Sequence, residues 1–171
     1  MPNHPSPEWV RASEIVRDAG GRIVGRTRLQ KVAYLLEVVG LGGGFQFEYR
    51  HYGPFSEGLA DAIQMAEAFD LVKQEEKRAD WGGMYSIYTA ELDKGETNPR
   101  ATFAQKAAKI GAVELELAAT AAFLKVTGSG MPWEETKRLK PEKATAQRLQ
   151  KAKEAYRDLQ KIKVPKPLPP L

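Results

Sequence analysis

The chain contains no cysteine. That one absence excludes structural disulfides, thiolate metal sites and cysteine nucleophiles together, and it suits a reducing compartment. Histidine is almost as scarce. His4 sits near a polar terminus, and His51 stands alone, with no second histidine or cysteine to share a metal ion. No apolar run approaches the roughly 18 residues that a membrane span needs. Met1 to Ser6 is polar and no apolar stretch follows, so a secretory leader is not expected either. There is no Walker-type loop, no G-x-G-x-x-G and no G-x-S-x-G. The glycine-rich Gly40 to Gly44 leads into a strand-like run, not a helix N-terminus, so it lacks the array of N–H donors that cradles phosphate. Glu75-Glu76 and Glu134-Glu135 are adjacent pairs whose side chains diverge, and neither forms an acid/base dyad. These absences lead to an expectation of a soluble, cytoplasmic, non-enzymatic protein with no catalytic residue, no metal and no cofactor.

What is present begins with an uneven charge. The net charge is +4 over 171 residues, but residues 1–97 carry 11 Lys/Arg against 15 Asp/Glu, and residues 98–171 carry 15 against 7. The second half therefore favours an acidic partner, either nucleic acid or an acidic protein face. The length fits one domain, or one domain with an appendage.

Punctuation and apolar spacing predict mainly helix with a small β-hairpin. Ser6-Pro7-Glu8 reads as a helix start, with Ser6 as cap, and Trp9, Val10, Ile15 and Val16 lie on the helix it opens. A second helix opens near Thr27, where Thr27 and Gln30 have capping-box spacing. Leu29, Val32, Ala33, Leu36 and Val39 form its apolar face, which leaves Gln30 and Lys31 toward solvent and Tyr34 at the boundary with its hydroxyl free. Phe45, Phe47 and Tyr49 alternate with polar residues as in a short strand. Ser56 caps a third helix, with Leu59, Ala60, Ile63 and Phe69 inward. Leu71–Lys77 and Met84–Thr89 form a hairpin around Asp80-Trp81-Gly82-Gly83. Helices followed by a hairpin suggest a winged-helix-like unit over residues 1–97. A helical unit over 98–163 packs on it, with Gly111 as a break point, and the proline-rich segment 164–171 is an extended tail.

Two strings carry the functional signal: Leu29-Gln30-Lys31-Val32-Ala33-Tyr34-Leu35-Leu36 and His51-Tyr52-Gly53-Pro54-Phe55-Ser56. Turn chemistry alone accounts for every residue type of the second string except His51. Aromatic residues on a rigid turn are also good interface anchors, because they lose little entropy on binding. Thr27 to Lys31, Tyr34 to Leu36, Phe47-Glu48-Tyr49 and the His51 to Ser56 turn together resemble the YwgA-like family of small prokaryotic proteins. More distantly, they resemble the SocA-like antitoxin domain, also called Panacea. Glu114 to Thr120, Trp133-Glu134-Glu135 and Leu139-Lys140-Pro141 extend the YwgA-like resemblance to about residues 8–160. The resemblance implies a phage-associated or defence setting, an α-rich fold with a small β element, and no catalytic residues. Its antitoxin branch implies action by protein contact.

Two functions follow as expectations. The first is an antitoxin or adaptor that binds a protein partner through Lys31, Tyr34, His51, Tyr52, Gly53, Pro54, Phe55 and Ser56. The alternative is a nucleic-acid-binding regulator that uses Arg22, Arg26 and Arg28, the wing residues Lys73, Lys77 and Arg78, and Arg148, Lys151 and Arg157 of the basic last helix. The third helix argues against conventional groove reading, because it offers Glu57, Asp61, Glu67 and Asp70 and no cation.

Overall fold

The glycine and proline punctuation of the first half sets its element order. The computed structural model describes residues 6–92, 95 and 97–171; His4 lies outside the described residues. α1 (Glu8–Asp18) buries Ala12, Ile15 and Val16. Its N-cap is Pro7 and not Ser6, and no side chain caps it; the Ser6 carbonyl instead accepts from Arg11 Nε at 2.9 Å. After Gly20 and Gly21, both at positive φ, comes β1 (Arg22–Val24). Three residues are too few for alternation to register, so the sequence pattern gives no sign of this strand.

α2 (Arg26–Val38) buries every residue from Leu29 to Leu36. A helix enclosed on all sides is a central helix, not an amphipathic surface one. It starts after Gly25, which caps without a side-chain bond, and Gln30 is turned elsewhere, so no capping box forms. β2 (Glu48–Arg50) and β3 (Gly53–Phe55) pair antiparallel, with Tyr49 opposite Pro54. The expected strand of alternating aromatics is shorter than its pattern: Phe45 and Phe47 precede β2, and all three β2 residues are exposed.

α3 (Glu57–Ala68) starts as expected, with Ser56 Oγ accepting from Leu59 N at 3.1 Å. It buries Leu59, Ala62, Ile63 and Ala66. Phe69 does not turn inward. It is exposed, with its ring against Trp9 at 5.2 Å between centroids. β4 (Lys73–Arg78) and β5 (Met84–Thr89) form the expected hairpin, and β1 adds to the other side of β5 to give the antiparallel order β1-β5-β4.

In the second half, Asn98 caps α4 (Pro99–Ala108) by accepting from Ala101 N. Gly111 does break the helical stretch and serves as N-cap of α5 (Ala112–Val126). α6 (Pro132–Leu139) and α7 (Ala146–Gln160) pack on α5. Leu149, Ala152, Tyr156 and Leu159 form the buried stripe that the spacing predicts for α7. One hydrophobic cluster joins Ile15, Leu36 and Leu59 to Phe103, Leu115 and Tyr156, so the two halves share a core. The architecture is mainly helical with a small antiparallel sheet. No helix among the described residues is long and apolar enough to cross a membrane.

The proline-rich tail has no regular structure but does not stand free. Lys166 N donates to Val39 O at 3.0 Å, Tyr156 Oη donates to Pro169 O at 2.5 Å, and Leu168 is buried. Alternating prolines leave few N–H groups to satisfy, so the segment can lie on an apolar surface at low cost.

One half-buried cation ties the halves together. Arg100, near the start of α4, pairs with buried Asp18 of α1 and donates to Leu41 O at 2.8 Å. Replacing Arg100 with alanine leaves Asp18 paired with Arg17 alone and the Leu41 carbonyl without its donor, and is expected to cost about 2 kcal/mol. A urea unfolding series on R100A checks this, and a loss under about 1 kcal/mol would contradict it.

Candidate functional site

The two sequence strings meet in space. Gln30, in the second turn of α2, presents its amide edge to the backbone of Ser56: Ser56 N donates to Oε1 at 2.8 Å, and Nε2 donates to Ser56 O at 3.0 Å. One helical step on, Lys31 Nζ donates to Pro54 O at 2.8 Å. Lys31 is only 1% exposed. The expectation that Gln30 and Lys31 face solvent is therefore wrong. Both side chains satisfy the backbone of a buried turn that has no ladder partner on that side.

The turn is also closed from the other side. Gly53 has φ +94, and a Cβ placed there would lie 2.6 Å from Thr120 Oγ1 of α5 and 3.6 Å from Lys31 Cε. The position needs glycine twice over, for its backbone conformation and for the close approach of α5. Thr120 Oγ1 is buried without a hydrogen-bond partner among the described residues.

Below the turn lies a cluster of charge. Glu116 of α5 is 2% exposed, and Lys143 Nζ sits 2.9 Å from its Oε2 and 3.1 Å from its Oε1. Lys140 Nζ lies 4.0 Å from Glu116 and donates to His51 O at 3.2 Å. Three lysines thus converge on one carboxylate. Burial pushes the Lys31 ammonium down to about 8, with Lys140 and Lys143 adding to the fall and Glu116 opposing it. Burial also lowers Lys140. Aromatic faces take up part of the excess positive charge: Lys143 Nζ is 4.7 Å from the Tyr52 ring centroid and Lys140 Nζ is 5.9 Å from that of Tyr49.

The residues singled out from sequence therefore divide. Lys31, Gly53, Pro54 and Ser56 are buried framework. Tyr34 is buried as well, not at the boundary. It packs against Phe47 at 5.3 Å and Phe123 at 5.8 Å, and burial holds its phenol above the usual range. His51 and Tyr52 form the exposed tip of the β2–β3 turn, edge to face at 4.9 Å, with Tyr52 53% exposed. Phe55 is half-buried under the Arg50 guanidinium, which Glu48 and Glu57 hold in place. Beside it opens a cavity of about 480 Å³, walled by Phe45, Phe47 and Phe55 and rimmed by Glu8, Glu48 and Glu57.

The alternative set divides too. The Arg28 guanidinium is engaged within the fold: it donates to Val24 O at 2.6 Å and Ile110 O at 3.2 Å, and burial lowers its pKa. Arg26 reaches Glu76 at 3.3 Å. Arg22, Lys73, Lys77 and Arg78 are exposed on the sheet, and Arg148, Lys151 and Arg157 are exposed on α7. Among the described residues no three His, Asp or Glu side chains group to hold a metal ion.

No family model, curated protein or solved structure matches the chain.

Sequence reasoning missed Glu116, Thr120, Lys140, Lys143 and the clamping role of Gln30. A signal existed: Lys31 lies within an apolar run that leaves the helix no solvent face, so its ammonium must find a buried acceptor.

Two expectations follow. G53A is expected to lose at least about 2 kcal/mol, whereas G82A, at a similar φ but in open space, loses about 1; equal losses would show that Thr120 does not press on the turn. The Lys31 shift gives a pH dependence. Its folded pKa is lowered from 10.5 to about 8, so between these values the unfolded chain binds more protons and stability from this group rises with pH. Urea midpoints should therefore rise for the native chain relative to K31M between pH 8 and 10; a falling difference would contradict the assignment.

Proposed function

We propose that this protein acts by contact, with a partner protein docking on the knuckle of His51 and Tyr52. The defence or phage-associated setting implied by the sequence resemblance makes it an antitoxin or adaptor. The observation that carries this reading is the contrast between an exposed aromatic tip and the fully wired turn beneath it. Gln30, Lys31 and Lys140 hold the backbone of residues 51–56, and Lys143 braces the Tyr52 ring. A ring held this way loses little freedom on binding, so more of its burial appears as affinity. In this reading His51, Tyr52 and Phe55 touch the partner. Lys31, Tyr34, Gly53, Pro54 and Ser56 set their positions.

A second reading has its own support. The order α1-β1-α2-β2-β3-α3-β4-β5, with sheet order β1-β5-β4, supports a winged-helix-like reading in which β2–β3 is an insertion, α3 the groove-facing helix and β4–β5 the wing. This favours a winged-helix-like first half and a nucleic-acid-binding regulator. Against duplex binding by this half, α3 exposes Glu57, Asp61 and Glu67, Arg28 is spent on carbonyls and Arg26 on Glu76. Protein contact is therefore the better supported reading.

Affinity purification at two ionic strengths separates the two. The contact reading expects a complex that survives high salt. It further expects H51A and Y52A to weaken that complex by tenfold or more, about 1.4 kcal/mol or above. The melting temperature of H51A should be almost unchanged because its side chain is exposed, and Y52A should lose no more stability than the about 1 kcal/mol of its contact with Lys143. Duplex DNA captured only at low salt, or a complex indifferent to Y52A, would remove it.

A further inference from the structure

The second half carries a basic groove of which the nucleic-acid reading uses only Arg157. Two adjoining depressions of about 440 and 390 Å³ share Lys153 and Arg157; the first lies between α6 and α7, and the second is closed on one side by Pro170 and Leu171. Lys137 lines the first and Trp133 the second, and no acidic side chain lines either. Neighbouring cations are already engaged, Arg138 by Glu135 and Lys161 by Asp158. Lys137, Lys153 and Arg157 have no carboxylate partner among the described residues.

The aromatic wall is held in place. The Trp133 ring meets buried Tyr156 edge-on, at 6.2 Å and 90°, and Lys153 Nζ is 5.8 Å from the Trp133 ring centroid. Lys153 and Arg157 are four residues apart on α7, about 6 Å along its axis. That repeat suits successive phosphates of an extended strand. Leu149 and Ala146 give the groove an apolar floor beside the cations.

We propose that this groove binds single-stranded nucleic acid, with phosphates on Lys137, Lys153 and Arg157 and a base against Trp133. A charged track beside an aromatic platform is the chemistry of single-strand binding. A duplex would satisfy the cations but hide its base faces. An acidic polypeptide would satisfy the cations and leave the flat ring unused. The groove shares no lining residue with the wing or with α3, and it stands whether or not the knuckle binds a protein.

The test uses the full chain and fluorescein-labelled oligothymidine and oligouridine of about 12 nucleotides. Anisotropy should show binding near 50 mM salt that weakens about 10- to 20-fold by 200 mM, as expected for three phosphate contacts on a single strand. K153E/R157E should weaken binding at least about tenfold. K106E/K109E makes the same charge change at exposed positions outside the groove and should alter binding by less than about threefold. In a W9F/W81F chain Trp133 is the sole tryptophan, and its emission should be quenched on binding. No binding at low salt, or equal losses in the two double variants, would overturn the proposal. Polyglutamate captured more tightly than either oligonucleotide, with Trp133 emission unchanged, would assign the groove to an acidic protein segment and overturn it as well.

Discussion

The β2–β3 turn keeps its shape through three hydrogen bonds from two neighbouring side chains of α2. Gln30 gives one donor and one acceptor to Ser56, and Lys31 gives a donor to Pro54 O. Glutamate at position 30 would offer no N–H to the carbonyl. Asparagine would place the same amide one methylene short. At position 31 the four-carbon stem brings a cation to a carbonyl that neither a strand nor a helix reaches. Ser56 is held by its backbone and also caps α3 through its hydroxyl. The same residue therefore fixes where the turn ends and where the next helix starts. The placement of α3, and of the β4–β5 hairpin after it, follows from the fit between α2 and this turn.

A central helix with a buried lysine creates an electrostatic problem. Buried Lys31 and Lys140, with partly solvated Lys143, face a single carboxylate, Glu116, and an unrelieved excess of charge there would be costly to keep. The structure relieves it with groups of partial charge. The carbonyls of Pro54 and His51 accept from Lys31 and Lys140, and the faces of Tyr49 and Tyr52 lie over Lys140 and Lys143. The lowered affinity of Lys31 for its proton shows that the relief is incomplete. The lysine cluster and the exposed tyrosines thus belong to one arrangement. The rings help to stabilise the cations, and the cations hold the rings at the surface.

Local chemistry was legible in the sequence and long-range pairing was not. Gly111 as a break, Ser56 and Asn98 as caps, the β4–β5 hairpin and the α7 stripe are all decided within a few residues, and all could be read. The orientation of Gln30 and Lys31 could not be read by assigning them to a polar face, because α2 has no polar face once α5 covers it. Phe69 was misassigned for the opposite reason: its spacing fits the inner face, but the α3 C-terminus passes the edge of the core and the ring folds onto Trp9. Glu116 and Lys143 are 27 residues apart. No periodicity links them; only the return of α6 and α7 along α5 does. The site strings were visible as motifs, yet their roles were reversed in part, since the charged member proved to be the buried clamp.

The loop from Lys140 to Thr145 is where the two surfaces of the molecule meet. It joins α6 to α7, the walls of the basic groove, and it carries the lysines that hold the His51 carbonyl and the Tyr52 ring. Lys140 is buried there, and the following backbone is pinned by Ala144 N donating to Lys140 O at 2.8 Å. A change in the spacing of α6 and α7 reaches the knuckle through this loop or through α5, which packs on both helices and whose Thr120 presses on Gly53. Proximity alone is not coupling, which requires a ligand that binds two arrangements of the loop unequally. The close packing around Lys140 makes small continuous adjustment expensive, so a ligand of either surface meets one fixed arrangement or forces a discrete second one. A second arrangement that moves Lys140 breaks its bond to the His51 carbonyl, while Gln30 and Lys31 keep hold of Ser56 and Pro54, so its effect falls on the exposed tip and not on the turn beneath.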